Sequence, residues 1–146
     1  MHKREIDNRL YSTWWALRLL FGVVPVVAGL DKYFNLLTDW TAYLNPLATK
    51  LLPISAPTFM HIVGVVEIAA GLIVLSRWTR LGSYVVTLWL VAIALNLLVM
   101  GRFLDVAVRD LGLAVAAFTL SQLTAVREEA SMTSRTSNAQ PLPARS

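Results

Sequence analysis

Long apolar runs, not an alternation of apolar and polar positions, set the pattern of this chain. Nearly every residue is apolar over 13–30, 58–75 and 81–100. A helix packed in a water-soluble domain needs one apolar stripe, whereas a helix surrounded by lipid is apolar all round. Each run approaches the roughly 20 residues that cross a hydrocarbon layer. A fourth, shorter run begins near Val106 or Asp110 and ends at Ala125, with Arg109 and Arg127 placed to snorkel from its ends. The pattern predicts an all-α integral membrane protein, a four-helix transmembrane bundle.

Polar punctuation divides the runs. Residues 31–57 hold Pro46, Pro53 and Pro57 together with Asp31, Lys32, Asp39 and Lys50, which excludes a further buried helix. Leu36, Leu37, Trp40, Tyr43, Leu44 and Leu47 nevertheless recur at helical spacing. A short amphipathic helix lying at the membrane surface is expected there, stopped by Asn45-Pro46. Pro57 is placed to open the second span. The other two connections, 76–80 and 101–109, are too short to hold a domain. From Arg127 onward the chain turns to Ser, Thr, Asn, Gln and Pro without periodicity, the composition of a disordered tail. The organisation expected is a basic N-terminus over 1–12, a membrane domain over 13–126 and a tail over 127–146. A cleaved secretory signal is disfavoured, because Arg18 and Pro25 interrupt the first apolar run and more spans follow it.

Four spans put both termini on one side. That side carries Lys3, Arg4, Arg9, Arg77, Arg80, Arg127, Arg135 and Arg145, against Lys32, Lys50, Arg102 and Arg109 on the other. The excess predicts cytoplasmic termini. Tyr11, Trp14 and Trp15 suit the headgroup level. The net charge of +4 does not point to nucleic acid, because the basic residues sit at the ends of apolar runs. Only 15% of residues are charged and 56% are apolar, too little polar surface to cover a globule in water.

Chemistry is sparse. With no cysteine, disulfides, thiolate metal sites and iron–sulfur ligation are excluded. The two histidines are His2 and His61, and a bis-histidine haem needs two facing one another within the spans. No carboxylate–histidine metal cluster, phosphate-binding glycine loop or nucleophile elbow is present. What remains is charge inside the apolar runs. An unpaired charge in hydrocarbon costs at least about 2.5–3.5 kcal/mol. Counted from the same face, Arg18 and Glu67 differ in depth by roughly 4–5 Å, so they are expected to form an intramembrane ion pair or a ligand site. Gly22 with Gly29, and Gly64 with Gly71, give seven-residue seams along which spans one and two should pack. A second polar group gathers at the opposite ends of the spans. Of its members, Lys32, Asn96, Arg109 and Asp110 are the candidates to converge on a cavity, while His61 reads as an interfacial histidine.

Leu17-Arg18 followed by Gly22, then Ala28-Gly29-Leu30 and Lys32, resembles the opening motif of the DoxX family of small four-helix bacterial membrane proteins. Gly64-x-x-Glu67 and Gly71-Leu72, followed by Thr79-Arg80-Leu81, resemble its middle, and Arg109-Asp110-Leu111 its closing element. The resemblance covers about residues 13–125; Pro25, and Asp31 beside Lys32, depart from it. It implies a bacterial plasma membrane location and redox biology, since relatives include a thiosulfate:quinone oxidoreductase subunit and partners of oxidative-stress enzymes. The function expected is an accessory membrane subunit without catalytic activity of its own. It would bind a quinone-like or lipid ligand and support an oxidoreductase partner, with no intrinsic cofactor and with membrane lipid around it. The alternatives are a proton-linked transporter working as a homo-oligomer through Glu67, and a purely structural membrane protein.

Overall fold

The computed structural model describes residues 2–51 and 53–139, and no strand occurs among them. Five α-helices follow in order: α1 (His2–Asp31), α2 (Pro46–Leu51), α3 (Ala56–Leu75), α4 (Thr79–Met100) and α5 (Leu104–Ala139). A four-residue 3₁₀ turn, Trp40–Tyr43, lies between α1 and α2. Three of the helices are long and apolar enough to cross a membrane: α1 over Glu5–Asp31, α3 and α4. The chain is a multi-pass membrane protein. Its four long helices form the expected bundle, α1 packed most closely on α3 and α4 on α5, with α3–α4 and α1–α5 contacts closing the ring.

Close approach makes the α1–α3 pair. A Cβ added at Gly29 would lie 2.5 Å from the Gly64 carbonyl oxygen, and one at Gly64 would lie 2.6 Å from the Gly29 carbonyl oxygen. Gly71 meets the Gly22 carbonyl in the same way. The two seven-residue seams therefore face each other, as their spacing predicts. Lipid offers no hydrophobic drive between helices, so backbone proximity and packing supply the attraction. Pro25 sits between the two glycine contacts without ending α1. A spanning helix tolerates the lost donor because neighbouring groups satisfy the backbone.

At the centre of the bundle Trp14 and Phe21 from α1 pack with Ala70 and Val74 from α3, Val86 from α4, and Ala117 and Leu120 from α5. The α4–α5 seam is lined by small residues. Ser83, Ala94, Ala107, Ala117 and Ser121 are fully buried. Ser83 and Ser121 donate to the carbonyls of Thr79 and Phe118, so neither hydroxyl is left bare in an apolar setting. The seam runs from Leu97 and Ala107 at one end to the Arg80–Glu128 ion pair at the other. Helix α5 thus flanks α4 along its whole length, which places it in the same layer. Large apolar side chains such as Leu88, Val99, Val115 and Val65 point outward, as lipid contact requires.

Three boundaries differ from the sequence expectation. The surface helix expected over 36–47 is divided. Asp39 caps the 3₁₀ turn by accepting the Thr41 N–H at 3.0 Å. Asn45 then accepts the Leu47 N–H at 3.0 Å. Asn45-Pro46 therefore starts α2 instead of stopping a helix, since Asn caps helix N-termini and proline fits the first helical position. The basic N-terminus is continuous with α1, held by an Arg9–Glu5 pair one turn apart and by Ser12 and Thr13 donating to the Arg9 carbonyl. The composition-based tail likewise continues α5 through Ala139, its residues 131–136 wholly exposed and bonded within their own helix. Residues 140–146 of that expected tail lie outside the described residues.

The two kinds of glycine should respond oppositely to an added methyl. Gly64→Ala should destabilise the protein by about 1–3 kcal/mol in a detergent–lipid micelle titration, because it overpacks the α1–α3 contact. Gly112, whose Cβ would meet nothing within 4 Å, should accept alanine neutrally or with a gain of up to about 1 kcal/mol. Equal responses would remove the seam argument.

Candidate functional site

Arg18 within α1 and Lys32 just past its end are satisfied at different levels of α3, one at its C-terminus and the other at mid-helix. Arg18 faces the C-terminus of that helix. Its Nε donates to the Val74 carbonyl at 3.2 Å, and its Nη2 to the carbonyls of Leu75 at 2.6 Å and Ser76 at 2.7 Å. These are carbonyls that an α-helix end leaves without partners, where the helix dipole is negative. The guanidinium also lies 4.9 Å from the ring centres of both Trp14 and Trp15. Trp14 in turn donates its Nε1–H to Thr124 on α5 at 2.8 Å, and Arg127 stacks over its ring. Arg18 thus ties α1 to the end of α3 inside an aromatic frame that reaches α5.

The expected Arg18–Glu67 pair is not formed. Facing glycines fix the register: with Gly22 against Gly71, Arg18 lands opposite Leu75. Its carbonyl partners lie seven to nine residues beyond Glu67 on α3, which is about 10–13 Å along the helix axis. Counting depth from the ends of the apolar runs mispairs the residues, because the two runs do not begin at the same level.

Glu67 is paired with Lys32 instead. Lys32 Nζ stands 2.5 Å from Glu67 Oε2, and the two residues are only 3% and 8% exposed. Lys32 follows the last residue of α1, and its Cβ lies beside Gly64, so its stem is led back along α3 towards Glu67. The second carboxylate oxygen faces the Nε1–H of Trp89 on α4 at 3.4 Å. Above the ammonium, the ring of Trp40 is centred 3.6 Å from Nζ. One carboxylate and one indole therefore enclose the buried lysine, and a second indole faces the carboxylate.

Asp31 builds the roof of this arrangement. Its carboxylate accepts the backbone N–H groups of Leu36 at 3.0 Å and Leu37 at 3.1 Å, and the Nε1–H of Trp40 at 2.8 Å. These bonds fold the chain after α1 back over Lys32, through a left-handed residue at Asn35 with φ of 50°. Neighbouring residues of opposite charge thus have different roles: Asp31 shapes the loop and Lys32 enters the bundle.

The other outer residues do not join Lys32 in a shared cavity. Asn96 donates its Nδ2–H to the Tyr43 carbonyl at 3.0 Å and so fastens the loop to α4. Arg109 and Asp110 bond each other, with Nε and Nη2 both 3.2 Å from Asp110 Oδ1. Asp110 is buried, whereas the Arg109 side chain is largely exposed. The His61 ring stacks on Tyr33, whose hydroxyl donates to the His61 carbonyl. Two shallow grooves of about 400 and 320 Å³ lie at opposite ends of α4, and neither is lined by Lys32 or Glu67.

Trp89 carries no expectation in the sequence analysis, and Trp40 enters it only as an apolar position of the expected surface helix. Trp89 had a usable signal. A tryptophan in the middle of a span, away from the headgroup level, brings an indole N–H into hydrocarbon and requires an acceptor. Glu67 is the acceptor it finds. Trp40 carried no comparable signal, because its place depends on the fold of the loop.

A family model described as DoxX matches residues 13–101, from Thr13 in α1 to the end of α4, and stops short of α5. The Arg109-Asp110-Leu111 element falls outside that match. No curated protein and no solved structure matches the chain.

The new pairing has a thermodynamic signature. Lys32→Met or Glu67→Leu alone should cost about 3–5 kcal/mol, since each leaves a buried charge without its partner. Lys32→Met with Glu67→Leu should cost far less than the sum. Arg18→Met combined with Glu67→Leu should be additive within about 0.5 kcal/mol, because those sites share no partner. Strong coupling in the Arg18 cycle would restore the pairing expected from depth.

Proposed function

The chain belongs to the DoxX family, and we propose that it is an accessory membrane subunit whose Lys32–Glu67 pair holds the head of a lipid-soluble, quinone-like ligand for an oxidoreductase partner. The observation that carries this reading is a buried ion pair whose structural work is already done elsewhere. Facing glycines and the Arg18 contact set the α1–α3 register. A buried ion pair adds little net stability over apolar side chains of similar volume. Charge within a membrane domain marks a functional site by default.

The donor set suits a carbonyl oxygen. Lys32 Nζ has three N–H donors and Trp89 one, and both point at a single carboxylate. A ligand carbonyl can take a donor from either without moving a charge into lipid. Trp40 supplies a flat aromatic face beside them. The chain has no cysteine to carry electrons through a thiol or an iron–sulfur cluster, so the ligand and the partner carry the redox chemistry, and the subunit binds and orients. We place the protein in a bacterial plasma membrane. The end bearing Arg9, Arg77, Arg80 and Arg127 faces the cytoplasm, in line with the excess of basic residues there.

Purification from native membranes in mild detergent, followed by solvent extraction, measures bound quinone per chain. The expected result is near one quinone per chain for the wild type, and a drop of at least about tenfold for Lys32→Met with Glu67→Leu, a variant chosen to keep the fold. Wild-type protein carrying neither a quinone nor a co-purifying oxidoreductase would overturn the proposal.

A further inference from the structure

We propose that residues 35–44 are a hinged cover over the Lys32–Glu67 pair, latched by Asp31 and Asn96, and that its opening gives the buried amine access to ligand. The inference rests on the ligand-site reading for its purpose, but its mechanics stand on the loop itself. The cover has a hinge at each end: left-handed Asn35 at one, and extended Leu44 before the Asn45 cap of α2 at the other. Between them it has a single 3₁₀ turn with no buried residue. Next to its first hinge, Leu36 and Leu37 are 84% and 67% exposed, so apolar packing does little to hold that end down.

The attachments are two polar latches and one apolar anchor, Tyr43, which packs against the buried cluster of Ala94, Leu97 and Ala107 from α4 and α5. Asp31 takes the Leu36 and Leu37 N–H groups and the Trp40 indole N–H. Asn96 donates to the Tyr43 carbonyl, and the Tyr43 ring rests on Phe103, 4.5 Å between centres. Phe103 holds φ at 56°, an unusual conformation for an aromatic residue, in the turn joining α4 to α5. The long helices, by contrast, are joined by backbone contact and buried side chains along their length. Segments held by few buried contacts open at free energies well below global unfolding. Here opening lifts the Trp40 ring off Lys32 Nζ while Glu67 and Trp89, carried on α3 and α4, stay in place. The closed state protects the ion pair from water, and the open state presents it.

Amine reactivity reads the cover directly and needs no ligand. The chain has three lysines, Lys3, Lys32 and Lys50, and Lys50 is exposed, so it serves as an internal standard. Protein in liposomes would be treated with sulfo-N-hydroxysuccinimidyl acetate and acetylation followed by peptide mass spectrometry. Lys32 should react at least tenfold more slowly than Lys50 in the wild type. Asn96→Leu should raise the Lys32 rate about fivefold, leaving the Lys50 rate and the melting temperature close to wild type. Tyr43→Ala, which removes the ring from Phe103 and from the Ala94, Leu97 and Ala107 cluster while leaving every span residue in place, should act in the same direction and covers the case in which Asn96→Leu does not fold. A Lys32 rate that neither variant changes, or one that rises only with global unfolding in denaturant, would overturn the cover. Labelling as expected in a protein that binds no quinone would leave the cover standing and remove the ligand assigned to it.

Discussion

The contact on which the rest depends is the backbone approach of α1 to α3 at Gly29 and Gly64. Two carbonyls pressed against two α-carbons leave no room for a side chain, so the helices cannot slide without separating. In lipid, separation forfeits the packing that holds them together. The two cations that enter the bundle from the first half of the chain, Arg18 and Lys32, are then placed by that register. Arg18 is carried to the end of α3, where carbonyls wait. Lys32 is carried just past Gly64, where the nearest carboxylate is one reach away. The charges do not choose their partners; the glycines do.

Two ways of keeping charge in an apolar bundle stand side by side as a result. Arg18 uses acceptors that the fold produces in any case, since every helix ends with unpaired carbonyls. A planar guanidinium with several donors suits them, and the tryptophans on either side shield it. That solution joins α1 to α3 and needs no counter-ion. Lys32 uses an acceptor that must be supplied as a second buried charge, with an indole spent on each partner. Removing either member strands the other. The asymmetry is why the Lys32–Glu67 pair, and not Arg18, is the site we propose.

Much of this was legible in the chain, and the rest failed for identifiable reasons. The apolar runs predict the long helices, because a lipid environment leaves little choice of pattern. The seven-residue glycine spacing predicts the α1–α3 seam. The same spacing already contained the register: Arg18 precedes Gly22 by the distance that Leu75 follows Gly71, which excludes Glu67 as its partner. Depth counted from run ends was the weaker ruler. The loop was harder to read. Its helical periodicity was real, but Asn45-Pro46 is a stronger start signal than the apolar spacing is a helix signal. Asp31 stands in the sequence only as one charge of the 31–57 connection, although a carboxylate followed at short range by backbone donors and an indole builds a turn. Nothing local announces that Trp40 covers Lys32.

Under the proposed cover, a buried lysine can serve a ligand site without a standing cavity. A permanent opening beside Lys32 would let water reach the pair and weaken it, because the attraction between the charges rises as the dielectric falls. An apolar plug in place of Trp40 would protect the pair but give the ammonium no favourable face. An indole does both. It excludes water, its ring attracts the cation, and its N–H is held by Asp31, which neighbours that cation in the chain. The cover and the pair are therefore coupled through one side chain: what weakens the hold of Asp31 on Trp40 also uncovers Lys32. In that proposal, access is set by the polar bonds and the Tyr43 anchor at the edge of the bundle, and the helix packing around the pair is left undisturbed.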